Sequence, residues 1–154
     1  LRRFAPGIDI AWTSPLRRAC QSASLISLHT PWEVVDDLRE LSFGAWEGLT
    51  KEEARIATPE QYEAWELDAY LNHPPGGETG PDAVRRVARL LDAIASASAE
   101  TVVIVSHKTF LRLLLGVTLG LSLGEVRWRI EIKTGKIGIL EINGRNGKLK
   151  ALNL

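Results

Sequence analysis

Three stretches of this 154-residue sequence hold the side chains that phosphoryl chemistry requires. Ser14-Pro15-Leu16-Arg17-Arg18 sets two arginines at the opening turn of an expected helix, and Leu38-Arg39-Glu40 sets a carboxylate at the head of a glycine-containing loop. Ser106-His107 sets a histidine between an apolar run and a helix start, and Gly76-Gly77-Glu78 adds an acid on a flexible loop. A helix N-terminus carries unpaired N–H groups and about half a positive charge, so an arginine beside it makes an anion site. Phosphoryl transfer needs donors and positive charge around the equatorial oxygens, and an acid for the leaving oxygen. Taken singly, each residue has an ordinary structural explanation: a solvated helix face, a satisfied histidine, a surface acid. Their arrival on successive strand ends is what points to chemistry.

The elements that would bring them there can be read along the chain. Ile8–Trp12 is an apolar run expected as a strand, and Ser14-Pro15 supplies a cap and a first-turn proline for a helix over about 15–28. A short strand is expected at 32–35, then a loop over 36–48. Thr50 with Glu53, and Thr58 with Gln61, are capping-box patterns that predict helices at about 51–57 and 59–71. NHPPGGETG at 72–80 must be an exposed loop, and Pro81 opens a helix whose apolar face is Val84, Val87, Leu90, Leu91 and Ile94, with Arg85, Arg86 and Arg89 largely off it. Thr101–Val105 reads as a strand buried on both faces, followed by a helix at 110–119. Val126, Trp128, Ile130 and Ile132 alternate with charged residues, which predicts a half-buried strand, and turns at Thr134-Gly135 and Asn143-Gly144 separate two more, at about 137–142 and 148–153. This order predicts an α/β fold: a three-layer α/β/α sandwich with a mainly parallel sheet, in one domain over 1–154 with a helical insert at about 50–80. Ligands of such sheets bind beyond the carboxyl ends of the strands, where Arg18, Glu40 and His107 fall.

Composition narrows the partners. Lys+Arg and Asp+Glu are equal at 19 each, so no broad field draws the chain to nucleic acid or to a membrane surface. No apolar run reaches the roughly 18–20 residues of a membrane helix. The single cysteine, Cys20, excludes an internal disulfide and fits a reduced, cytoplasmic setting; it reads as a packed helix residue with no base beside it. Three histidines with scattered acids show no metal-ligand spacing, so neither a metal nor another cofactor is expected. Trp12, Trp32 and Trp128 fall at strand spacing, and Tyr62 with Trp65 reads as the packing face of the insert.

Four blocks in order resemble the histidine phosphatases, the phosphoglycerate-mutase-like family: SPLRRACQSA at 14–23, LRELSFGAWEG at 38–48, PPGGET at 74–79 and VIVSHKTFLRLLLG at 103–116. The resemblance implies a metal-free phosphomonoesterase in which a histidine nucleophile takes up the phosphoryl group of a small phosphorylated substrate and water releases it. It makes Arg18 the phosphate-binding arginine, Glu40 the proton donor to the leaving oxygen, and His107 the group that binds phosphoryl oxygens and stabilises their charge. Gly77 and Glu78 would shape the substrate mouth. Lys108-Thr109 departs from the usual Gly-Gly and would put a lysine near that mouth, and Ser22 replaces a usual threonine.

The family's Arg-His-Gly motif, which carries the nucleophile on the first strand, is not in these residues, and neither His29 nor His73 lies at a strand end. The opening Leu-Arg-Arg-Phe-Ala-Pro-Gly reads as the last turn of a helix broken by Pro6-Gly7, and no methionine occurs. The expectation is therefore an N-terminally truncated domain, inactive as it stands, with a gap or open sheet edge beside 8–12 or 101–105. Alternatives are a mutase, or a non-catalytic relative that binds phosphorylated partners or scaffolds. A homodimer is left open.

Overall fold

The computed structural model describes residues 7–154; the helical turn expected at the start of the chain lies outside the described residues. Strand β1 (Ile10–Thr13) leads into helix α1 (Arg17–Ser24), strand β2 (Trp32–Val34) and two 3-10 turns, Asp36–Leu38 and Gly44–Trp46. Helices α2 (Lys51–Ala57) and α3 (Pro59–Leu67) form the insert, followed by α4 (Gly80–Ser96), strand β3 (Val102–Val105) and α5 (Lys108–Thr118). A short helix α6 (Val126–Arg129) and strands β4 (Ile139–Asn143) and β5 (Asn146–Ala151) complete the order.

The central sheet runs β2-β1-β3 and is parallel throughout, with Ala11 beside Trp32 and Ile10–Thr13 beside Val102–Val105. Strand alternation sends Ile10 and Trp12 to the face packed by α4 and α5, in a core with Leu38, Val87, Leu90, Leu91 and Phe110. Ala11 and Thr13, also buried, face the opposite side, where Ala19 and Ala23 of α1 are buried. Small residues on both partners let α1 lie close to the sheet. The result is the three-layer α/β/α sandwich with a parallel sheet.

Several local expectations needed correction. The strand expected at 126–132 is instead α6. Val126 and Ile130, four residues apart, are both buried against Leu115, whereas Trp128 between them is 64 % exposed. A hydrophobic pair at helical spacing outweighed an alternation in which one member never packs. Trp128 is accordingly neither a core nor an edge-strand residue. Thr50 and Glu53 do make the reciprocal capping box, with Thr50 N–H donating to Glu53 at 2.7 Å and Glu53 N–H donating to Thr50 at 3.2 Å. Thr58 does not; its hydroxyl accepts the Trp46 indole N–H at 2.8 Å and donates to Ala54 O at 3.3 Å. Helix α1 ends at Ser24, short of the expected Leu28. Strand β3 is half-buried rather than covered on both faces, and its outer edge pairs with no strand among the described residues. β4 and β5 form a separate antiparallel hairpin that packs on the end of α5.

Two loops are fused backbone to backbone. Ala45 N–H donates to Pro75 O at 2.9 Å and Glu78 N–H donates to Ser42 O at 2.9 Å. The approach is so close that a Cβ on Gly44 would lie 2.3 Å from Pro75 O, and Gly44 also holds a φ of +50°. Gly44→Ala should therefore lower unfolding free energy by about 1–3 kcal/mol or more, the usual cost of overpacking against atoms that cannot yield. Chemical denaturation of the two proteins checks this; equal midpoints would mean the loops separate freely.

Candidate active site

His107 stands where β3 ends and α5 begins, as the helix N-cap with extended backbone (φ −120°, ψ 159°). It is 7 % exposed, and both ring nitrogens are engaged. Nδ1 receives a hydrogen bond from Arg18 Nε at 3.1 Å, and Nε2 lies 2.8 Å from Ser14 Oγ. Arg18 belongs to the first turn of α1 and is exposed, so solvent reaches the pair from its side. Burial pushes the His107 pKa below its usual value, and the Arg18 and Arg86 charges add to this against the pull of Glu40.

Glu40 is positioned by the same helix end. Its two oxygens accept the N–H groups of Leu41 at 3.1 Å, Thr109 at 3.1 Å and Phe110 at 2.9 Å. The last two are first-turn amides of α5, which lack partners within their own helix. His107 caps nothing with its side chain, so a carboxylate from the other side of the chain does. Ser106 Oγ donates to Leu38 O at 2.7 Å and ties the end of β3 to the turn just before Glu40. Arg18, Glu40 and His107 thus meet on one turn of backbone at the carboxyl edge of the sheet.

The residues expected at the mouth divide. Lys108 is exposed at the first position of α5. Gly77 is where loop 74–79 touches Ser42 O, and a Cβ there would lie 2.8 Å from that oxygen. Glu78 is not a free acid: Arg86 binds both its oxygens, at 3.0 and 2.6 Å, with little exposure of either side chain. The same guanidinium donates to Asp37 O at 2.8 Å and Arg39 O at 2.6 Å, and stacks 4.6 Å over the Phe110 ring. His29 and His73 are exposed and share no hydrogen bond with this network.

Three participants escaped the sequence reading. Arg86 was placed off the apolar face of its helix, yet it is 8 % exposed; its spacing from buried Ala83 and Leu90, three and four residues away, was the available signal. Ser14 was counted only as a cap. Arg112, one turn beyond Lys108, has its Nε buried with no hydrogen-bond partner among the described residues. Burial and Arg127 push its pKa down, opposed by Glu40.

A cationic donor, a histidine and a carboxylate are gathered at the N-terminus of one helix beyond a parallel sheet. The chain belongs to the histidine phosphatase superfamily (branch 1), whose family model matches residues 1–154. It is 39 % identical over 138 residues to a Mycobacterium tuberculosis protein named as bifunctional, covering 88 % of this chain and 37 % of that one. The chain therefore spans little more than a third of that relative. It is 27 % identical over 148 residues to the adenosylcobalamin/alpha-ribazole phosphatase of Escherichia coli, covering 94 % of this chain and 72 % of that one. The crystal structure of the alpha-ribazole phosphatase from Shigella flexneri superposes with a TM-score of 0.82 at 26 % identity, over 97 % of this chain and 75 % of that one.

A histidine whose folded pKa lies below its unfolded value of 6.5 binds fewer protons folded than unfolded as pH falls. Its contribution to stability is present above that value and is lost as pH falls from there through the depressed folded pKa. Wild type should lose more stability between neutral and mildly acid pH than His107→Gln, and the difference should vanish above neutrality. Denaturation midpoints across pH check this; parallel curves would refute it.

Proposed function

We propose that this domain hydrolyses small phosphomonoesters through a phosphohistidine intermediate. The observation that carries the reading is the convergence of the Arg18–His107 pair and the Glu40 carboxylate on the first turn of α5. In the proposed reaction a nucleophilic histidine nitrogen forms a bond to phosphorus as the ester P–O bond breaks. Arg18 and His107 bind the equatorial oxygens, and Glu40 gives its proton to the departing oxygen. Water then attacks phosphorus and gives a proton to the Glu40 carboxylate, the P–N bond breaks, and inorganic phosphate leaves. No Arg-His-Gly occurs in the 154 residues, so the nucleophile is assigned to a segment outside them and the 154 residues alone are assigned no turnover.

Gly77, Glu78 and Lys108 are assigned to the substrate mouth, with Glu78 acting through the fixed loop rather than as a free acid. The reading is of a metal-independent cytoplasmic enzyme on a small metabolite. Hydrolysis is favoured over a mutase exchange because the stretch between Glu40 and the glycine loop is short, holding little beyond helices α2 and α3.

The test uses the full-length protein on an aryl and an alkyl phosphate. His107→Ala should lower both rates by on the order of 10²–10³, the loss of one transition-state donor. Glu40→Gln should slow the alkyl ester far more than the aryl ester, whose leaving group needs little protonation. Equal slowing by Glu40→Gln at unchanged thermal stability would remove Glu40 as the acid. Turnover by the isolated 154 residues would remove the external nucleophile.

A further inference from the structure

Among the described residues three arginines are withdrawn from solvent, and two of them each hold a carboxylate and backbone oxygen. Arg86 binds Glu78 and the carbonyls of Asp37 and Arg39. Arg127 of α6 donates to Glu66 at 2.9 Å and to Trp65 O at 3.3 Å, and lies over the Trp65 ring. Arg112 of α5 is the third. Its Nε is buried with no acceptor, and no carboxylate among the described residues forms an ion pair with it. A covered donor on a charged group is costly to leave unpaired, and the like charge of Arg127 acts on it as well. Arg112 is equipped for an anion that none of these residues supplies.

Its place on the helix says where that anion belongs. Arg112 follows the N-cap His107 on the same helix, about 7.5 Å further along the axis. Helical side chains lean back towards the N-terminus, which carries the guanidinium towards the first turn of α5. Glu40 is seated there on the Thr109 and Phe110 amides, and its charge acts on Arg112 without an ion pair between them. The charges that act on His107 are those of Arg18, Glu40 and Arg86, with Arg112 not among them. Arg112 therefore stands on the Glu40 flank of the site, not on the Arg18 flank. In the proposed reaction that is the flank on which the alcohol leaves.

We propose that Arg112 sets substrate choice, and that the substrate is a phosphomonoester whose alcohol carries a second anionic group a few bonds from the ester oxygen. Carboxylate and phosphate share the chemistry a guanidinium recognises, planar or clustered oxygens that accept two N–H groups together. The phosphoryl group sits at Arg18 and His107 while the second anion accepts from Arg112. Arg127 is held by Glu66 and the Trp65 ring, so it adds positive charge behind this position and does not turn to the ligand. A neutral alcohol would leave the buried Arg112 donor unpaired, which is the basis of discrimination. The inference deepens the proposed function and rests on Glu40 being the acid at the leaving oxygen.

The experiment compares three esters of one short chain on the full-length protein. Propyl phosphate ends in a methyl group, the phosphate ester of 3-hydroxypropanoate in a carboxylate, and propane-1,3-diol bisphosphate in a second phosphate. Wild-type kcat/KM should be on the order of tenfold or more higher for at least one charged ester than for propyl phosphate. Which of the two is preferred identifies the second anion. Arg112→Met keeps the apolar stem and removes the charge, and it should bring that ratio close to one, chiefly through KM. Arg112→Lys should keep part of the ratio. A wild type that shows no preference for either charged ester overturns the proposal, and that measurement needs no variant. A ratio that survives in Arg112→Met overturns it too, because another cation such as the exposed Lys108 would then read the charge. Failure of the full-length protein to hydrolyse any phosphomonoester overturns the proposed function itself, and this inference with it.

Discussion

Arg86 makes four hydrogen bonds to groups from two separate stretches of chain, two to the Glu78 carboxylate and one each to the carbonyls of Asp37 and Arg39. It also lies over the ring of Phe110, whose backbone N–H holds Glu40. Helix α4, the glycine loop, the turn after β2 and the start of α5 are therefore joined through one guanidinium. A buried ion pair repays its desolvation only when its remaining donors are satisfied, and here two carbonyls with no strand partner do so. Removing either charge would strand the other in a low-dielectric setting next to the site. The geometry around Glu40 depends on this clamp more than on any local preference of residues 36–48, which contain only short 3-10 turns.

Glu40 and His107 illustrate how a helix end can be shared. The positive end of α5 would be a ready seat for a ligand anion, but two of its amides already hold a carboxylate of the protein. What remains for a ligand is the side towards Arg18, where the histidine ring lies. The division keeps the Glu40 carboxylate on one flank and Arg18 with His107 on the other, both at the first turn of α5. Arg112, half-buried a turn further along the same helix, also feels the Glu40 charge, which opposes the lowering of its pKa by burial and Arg127.

Much of this could be read from the residues alone. The apolar face of α4 announced itself by period and β1 as an apolar run, and the Arg18, Glu40 and His107 positions by where strands had to end. What could not be read was anything decided by partners distant in sequence. Arg86 looks like its neighbours Arg85 and Arg89 until loop 74–79 folds over it. Thr58 has the cap pattern but gives its hydroxyl to Trp46, twelve residues away. Residues 126–132 alternate well enough for a strand, yet the contact with Leu115 rewards the pair at helical spacing. β3 is half-buried and pairs along one edge only among the described residues, which its β-branched composition does not reveal.

The fused loops at 42–45 and 75–78 have a bearing on how this fold can change. Their two backbone hydrogen bonds close a ring of chain whose content is α2, α3 and the aromatic cluster. The ends are pinned at the glycine contact, and between them the excursion is also held where Arg127 of α6 pairs with Glu66 at 2.9 Å and lies over the Trp65 ring. The Arg18–His107 pair and Glu40 at the sheet edge lie outside this excursion. The insert is in this sense a cassette: it can be exchanged while the sheet edge stays as it is, provided the two glycines that form the clasp and the Arg127 contact are kept.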